Sequence, residues 1–178
     1  MFLNTLQRRG ADPILQFHAS LQKIGTARSI DELLELSLKE ALTLSQAERG
    51  SLFWVDEEKQ EFVLRGASGE YLSQFPQIRR NLKEGILGYV ASRRAPLLVE
   101  DTRKDRQFQN GNGFSGYRTT SFLSLPIILH GKLVGVINLT DKKTKRPFSK
   151  KDLEGMTLFT ECLSLHLDRI RLNTALKK

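Results

Sequence analysis

Nucleophilic or metal chemistry needs cysteine, histidine or carboxylate groups brought together, and this chain offers few of them. It has one cysteine, Cys162, and three histidines, His18, His130 and His166. Cys162 falls on an apolar line of a helical pattern, where a lone thiol is ordinarily an inert core residue. The histidines are spread over two helical stripes and a turn, and no HxxxH or CxxC pair occurs, so the spacing supplies no metal site. Phosphate-binding loops are equally thin. Gly85-Ile86-Leu87-Gly88 lacks the third glycine and preceding strand of a dinucleotide fingerprint. A helix start there still presents free N–H groups to an anion. A plainer reading has Gly85 capping a helix and Gly88 allowing close helix–sheet approach. The densest polar set is Asn112, Ser115, Tyr117, Arg118, Thr119 and Thr120, just before an apolar strand. Such a loop beside an apolar sheet face makes a small-molecule pocket, with greasy walls and few polar fixtures. The same residues could instead serve only their own backbone turns. The loop's length, from Asp101 to Tyr117, favours the pocket.

The elements that must position this loop are legible from pattern. Ser121 to Leu129 and Lys132 to Leu139 are two long apolar runs joined by His130-Gly131, and glycine there accepts the positive φ of a tight hairpin. Both runs are apolar on two faces, so the hairpin lies mid-sheet and is covered on both sides. Arg49 to Val55, Glu61 to Ala67 and Leu97-Leu98-Val99 supply three further strands, five in all. Asp12-Pro13 opens a helix with the stripe Ile14, Phe17, His18, Leu21 and Ile24, closed by Gly25. Ser29-Ile30-Asp31-Glu32 is a capping box opening a second helix. Lys83 to Arg93 is a short helix stopped by Pro96. Ser149 caps a final helix running to about Leu172. It carries two apolar lines, one through Met156, Phe159, Leu163, His166 and Ile170, the other through Leu158, Cys162, Leu165 and Leu172. One helix with two such lines needs two partners, the sheet and a second subunit.

The chain's 178 residues suit one domain with helical extensions. No apolar run approaches the ~20 residues that span a bilayer, no secretion signal is recognisable at the start, and one cysteine forms no internal disulfide. A cytoplasmic protein without a membrane partner is expected. The net charge of +8 gathers in Lys142, Lys143, Lys145, Arg146, Lys150 and Lys151. Charge without a recognition motif points to a solvated basic loop, and nucleic acid is not the favoured partner.

Five stretches in order resemble the GAF domain, a small-molecule sensing module of bacterial signalling proteins and cyclic-nucleotide phosphodiesterases. They are Glu48 to Phe53; Gly85 to Ala91; Val99-Glu100-Asp101 with Asp105 to Phe108; Gly116 to Ile127; and Gly135 to Lys142 followed by Pro147 to Asp152. The resemblance implies an α+β sandwich with a profilin-like layout. Its central antiparallel sheet has five to six strands, terminal helices on one face, and short helices plus loops over a ligand face on the other. It divides the chain into a helical extension (1–28), the GAF domain (29–172) and a tail or linker start (173–178).

Positions lining the pocket in cyclic-nucleotide-binding members correspond here to Ser51, Leu87, Asn112, Ser115, Thr119 and Asn138. The family's cyclic-nucleotide signature has asparagine-lysine, phenylalanine and aspartate-glutamate in order. Here Asp141-Lys142, Phe148 and Asp152-Leu153 stand in those places, two of five differing. Asn138 also replaces a carboxylate that would read a purine edge. A cyclic nucleotide or another small metabolite is the implied ligand. Chromophore-binding members and sulfoxide reductases of this fold use loop cysteines, which this chain lacks. The resemblance thus implies a non-catalytic sensory domain of a bacterial signal-transduction protein. It would bind a small ligand and signal through helices of a homodimer, N- and C-terminal, to a covalently linked output domain. The alternative is a ligand-free scaffold for dimerisation or protein–protein contact.

Overall fold

The computed structural model describes residues 12–68, 78–105 and 119–176. Among the described residues, four helices and six strands follow one another as α1 (Pro13–Gly25), α2 (Ile30–Ser45), β1 (Ala47–Asp56), β2 (Glu61–Ala67), β3 (Arg79–Asn81), α3 (Gly85–Arg93), β4 (Leu97–Val99), β5 (Phe122–Leu129), β6 (Lys132–Lys142) and α4 (Lys150–Ala175). The strands form one antiparallel sheet in the order β3-β2-β1-β6-β5-β4. The α+β sandwich expected from the sequence is what forms.

The β5–β6 hairpin turns through His130 (φ 49°) and Gly131 (φ 75°), the double positive φ that matches the strands' right-handed twist. A bulge then shifts the register between Ile127 and Ile128, so that Ile128 pairs with Leu133 but Ile127 with Gly135. Gly135 is needed there: a Cβ would stand 2.8 Å from the Phe53 carbonyl oxygen.

Alternation along the strands feeds two cores. Leu52, Leu123, Leu125, Ile137 and Leu139 point to one side and pack with Leu33, Phe159 and Leu163 of the long helices. Phe53, Phe62 and Val136 point to the other and meet Leu87 and Val90 of α3. Phe53 and Phe62 touch edge to face, centroids 6.4 Å apart.

The helix starts are as the sequence suggests, with one refinement. Ser29 accepts from the Glu32 N–H, while the Glu32 carboxylate reaches back one residue further, to the Arg28 N–H at 2.8 Å. Three expectations are corrected. The α1 stripe is rotated: Ile14 and His18 are exposed, while Ser20 is buried beside Ile24. Its hydroxyl donates to the buried Glu40 carboxylate at 2.6 Å, which also takes the Lys23 ammonium at 3.1 Å. α3 ends at Arg94 in the left-handed region (φ 51°), before Pro96 acts. β3 is a sixth strand, pairing through Glu61↔Asn81 and Val63↔Arg79.

The β6–α4 corner is held by polar contacts around a buried ring. Lys142 Nζ lies 2.7 Å from Asp152 Oδ2 and 5.5 Å from the centre of the Phe148 ring. Ser149 and Asp152 cap each other reciprocally. Burial would raise the Asp152 pKa, but the Lys142 ammonium and the Ser149 N–H and hydroxyl outweigh it and hold the carboxyl below its ordinary 3.8. A carboxyl depressed in the folded state contributes stability above its unfolded pKa and loses it as pH falls through the folded value. Urea titrations should therefore show wild type losing stability faster than Asp152→Asn between about pH 5 and pH 2, so that the gap between them narrows. Parallel curves would remove Asp152 from the acid response.

Candidate functional site

Three polar residues of the inner strands stand in one row on the α3 side of the sheet. Ser51 stands opposite Asn138, and Asn138 opposite Ser124, across β1, β6 and β5. Their chain neighbours Leu52, Ile137, Leu139, Leu123 and Leu125 face the long helices, so alternation turns the row to the other face. The Ser124 hydroxyl, fully buried, donates to Asn138 Oδ1 at 2.6 Å. That spacing suits O–H···O, and is short for an amide N–H donor. The Asn138 amide is thereby turned so that Nδ2 donates to Ser51 Oγ, at a loose 3.4 Å. Ser51 and Asn138 are half-buried, and among the described residues the Ser51 hydroxyl hydrogen has no acceptor. The row is closed at its Ser124 end and presents donors at its Ser51 end.

Leu87 lies on α3 in the smaller core with Phe53, Phe62, Val90 and Val136, an apolar wall beside this row. Gly85, at φ 63°, begins the helix, whose cap Glu84 makes no side-chain bond. The second glycine differs from expectation. A Cβ on Gly88 would meet the Lys83 carbonyl carbon at 2.3 Å, so Gly88 admits the turn before its own helix rather than the sheet.

Thr119 is placed apart from the row. Its N–H and hydroxyl both donate to Asp141 Oδ1, at 2.9 and 3.2 Å, three positions beyond Asn138 on β6. Arg49, two positions before Ser51, brings Nε to 3.4 Å from Asp141 Oδ2. Asp141, itself at positive φ, thus ties the approach to β5 down onto β6. Nearby, Asp101 takes a two-pronged bond from the Arg103 guanidinium, at 2.9 and 2.8 Å, which holds its carboxyl well below the ordinary carboxylate range. Asn112 and Ser115 lie outside the described residues.

The structure therefore brings together Ser51, Asn138 and the Leu87 wall, and separates Thr119 from them. The signature positions that match, Lys142, Phe148 and Asp152, converge at the β6–α4 corner on the long-helix side. Their work here is structural. Ser124 is the contributor that sequence reading missed, because a lone serine inside an apolar strand gives no signal until the register is known.

The remaining reactive groups are dispersed. His18 is exposed on α1, His130 sits in the hairpin turn 3.4 Å from Asp168, and His166 packs beside Gly25. Burial, then the Arg169 charge, pushes the His166 pKa down. Cys162 is half-buried on α4, its thiol pushed up by burial and then by Glu161. No described helix is long and apolar enough to cross a membrane.

Because the Ser124 hydroxyl is wholly buried, removing its acceptor should be costly. Asn138→Ala is expected to lower unfolding free energy by about 1–3 kcal/mol. Ser124→Ala in that background should recover part of the loss, with a coupling of order 0.5–3 kcal/mol in a double-mutant cycle. Additive effects in urea denaturation would mean that the two side chains act independently.

Comparison with known proteins agrees with this geometry. A family model described as GAF domain matches residues 27–168. A curated relative, the probable 3',5'-cyclic phosphodiesterase pde-5 of Caenorhabditis elegans, is 27% identical over 160 residues, 84% of this chain. The chain spans only 22% of that relative's length. Among solved structures, the GAF domain of a phosphoenolpyruvate-protein phosphotransferase from Coxiella burnetii superposes with a TM-score of 0.77 at 21% identity, covering 92% of this chain and 96% of that one. The free methionine-R-sulfoxide reductase of Neisseria meningitidis, in complex with its substrate, gives 0.70 at 14% identity, covering 93% and 96%. At such identities the likeness is one of fold, and a fold by itself does not fix a function. With the family model covering most of its length, and the sheet, helices and α3 face arranged as described, the chain belongs to the GAF domain family.

Proposed function

We propose that this chain is a non-catalytic sensory domain that binds a small ligand on the α3 face of its sheet. The observation that carries the reading is the Ser124–Asn138–Ser51 row, a set of oriented polar groups ending in open donors beside an apolar wall. That combination is what small-molecule sites use. Ser51, Asn138 and Leu87 are the proposed contacts from the sheet and α3, with Thr119, Asn112 and Ser115 completing the site from the loop before β5. A cyclic nucleotide or another small metabolite is the proposed ligand, and the relative named as a cyclic phosphodiesterase supports the first. The row's donors fit a ligand that brings acceptor oxygens or ring nitrogens. The domain would work in the cytoplasm as part of a bacterial signalling protein. It would pair with a second copy through its terminal helices and bias an output domain joined to it.

A non-enzymatic role is favoured because the lone thiol stands on α4, on the far side of the sheet from the row. A second reading has its own observation. Phe53, Phe62, Leu87, Val90 and Val136 already fill the sheet under α3, as they would in a ligand-free scaffold.

Thermal unfolding in the presence of cyclic nucleotides, dinucleotides and common metabolites separates the two. For a sensor, one chemical class at a hundredfold excess over its dissociation constant adds about 2.7 kcal/mol of stability. For a chain of this size that raises Tm by roughly 5–10 °C. Ser51→Ala and Ser115→Ala should each reduce the shift while leaving the unliganded Tm nearly unchanged. A flat response across the panel would establish the scaffold.

A further inference from the structure

We propose that the β6–α4 corner is a docking surface for a short acidic segment of a partner protein, held there by Lys143, Lys145, Arg146, Lys150 and Lys151. The surface is independent of the small-ligand reading above.

The sequence gathers these cations into residues 143–151, and the structure fixes the backbone that carries them. The Lys143 N–H donates to the Gln46 carbonyl and the Lys145 N–H to the Lys142 carbonyl, each at 2.8 Å. Lys145 itself takes a positive φ of 57°. The Phe148 ring is buried, and its N–H donates to Ser121 Oγ at 2.8 Å. The Ser149 N–H donates to Asp152 Oδ2, also at 2.8 Å. The loop is thus pinned along its length, while all five cationic side chains are exposed.

The fold itself does not use these charges. Lys142, next to them, is taken by Asp152. Among the described residues, none of the five shares an ion pair or donates a side-chain hydrogen bond. Like charges held side by side repel one another, so the cluster slightly opposes the compact state. The positive end of the α4 dipole lies at the same corner and adds to the field. The result is an anion-complementary surface whose backbone needs no ordering when a partner arrives.

The surroundings select among anions. Glu48, Glu100 and Glu154 are exposed and border the patch. Glu48 follows Ala47, which pairs with Lys142. Glu100 follows Val99, whose carbonyl shares Ser121 Oγ with the Phe148 N–H. Glu154 stands about one turn beyond Lys150 on α4. A nucleic-acid strand or an anionic membrane extends past the cations and meets these carboxylates, whereas a short run of aspartates and glutamates fits between them. Nucleic-acid strands also use open aromatic rings for stacking, and the one aromatic of this loop is buried. Membrane surfaces take up exposed apolar side chains, and residues 143–151 expose none larger than Pro147. Arg146 offers the paired N–H groups that match a carboxylate.

Fluorescence anisotropy on the full chain in about 150 mM salt tests this. The probe is a fluorescein-labelled peptide of alternating glutamate and aspartate. Random-sequence single-stranded DNA and vesicles of phosphatidylcholine with phosphatidylserine are the rival probes. The peptide should bind saturably. Lys145→Glu with Arg146→Glu should weaken it about tenfold with an unchanged circular dichroism spectrum, since neither side chain contacts the fold. Lys132→Glu with Arg171→Glu, exposed near the β5–β6 turn at the opposite end of the sheet, alters net charge equally and should leave binding nearly unchanged. Equal losses in the two double variants would reveal attraction to net charge alone and overturn the site, as would a native chain that fails to bind the peptide. DNA or vesicles binding at lower concentration than the peptide, and released by the Lys145 and Arg146 changes, would overturn the acidic segment as occupant.

Discussion

The β5–β6 hairpin is the constraint on which the rest depends. Residues 122–127 of β5 are all buried, as are 134–137 and 139–141 of β6. The phenylalanine, leucine, isoleucine and valine side chains among them gain roughly 1.5–3 kcal/mol each on burial, and alternation sends them to both sides of the sheet. A single covering layer would leave half of that apolar surface in water. Two covers are obligatory, and they are unequal. α1, α2 and α4 form a broad layer on one side, whereas α3 spans nine residues on the other. The strip of sheet beside α3 is where polar groups are tolerated, and the row from Ser51 to Ser124 occupies it.

At the far end of β6 the chain leaves the sheet for α4, and polar contacts accumulate there. Ser121 donates its hydroxyl to the Val99 carbonyl at 3.0 Å and accepts the Phe148 N–H at 2.8 Å. Asp141 holds Thr119 on one side of this corner, and Lys142 with Asp152 holds the helix start on the other. An aspartate at 141, where the cyclic-nucleotide signature has asparagine, suits this work, since one carboxylate oxygen accepts both Thr119 donors while the other faces Arg49. The departure from the signature alters a fastening of the loop before β5. It leaves the polar row itself untouched.

Much of the fold was legible because its elements carry local markers: capping serines at 29 and 149, the Asp12-Pro13 start, and glycine in the hairpin turn. What escaped was set by partners distant in sequence. Arg79-Arg80-Asn81 has no apolar alternation, and it is a strand only because β2 offers an open edge. The facing of α1 misled because Ser20 turns inward toward Glu40, twenty residues on, and a buried polar pair is invisible to hydrophobic periodicity. Ser124 depends on a bulge. Counting straight back from the His130-Gly131 turn pairs it with Ile137. The extra residue near Val134 moves the register by one and sets it opposite Asn138. Of the six positions carried over by resemblance, Ser51 and Asn138 meet and Leu87 lines the same face. Thr119 serves Asp141, a role that its position before an apolar strand did not distinguish from ligand contact.

The row also supplies a physical route between the two faces. Asn138 points to the α3 side, while its neighbours Ile137 and Leu139, each fully buried, pack beneath the long helices. Ser124 stands likewise between Leu123 and Leu125, which support the same layer. Close-packed side chains do not absorb displacements one at a time. A ligand that drew the Asn138 amide or the Ser51 hydroxyl toward itself would compete with the Ser124 bond, whose donor has nowhere else to turn. Relief by a shift of β6 against β5 would carry with it the apolar side chains on the reverse of both strands. The size of that effect is bounded by the ligand's preference for one arrangement over the other, commonly 1–3 kcal/mol between coupled sites. A sheet one strand thick is short enough for such a preference to reach the helices above it.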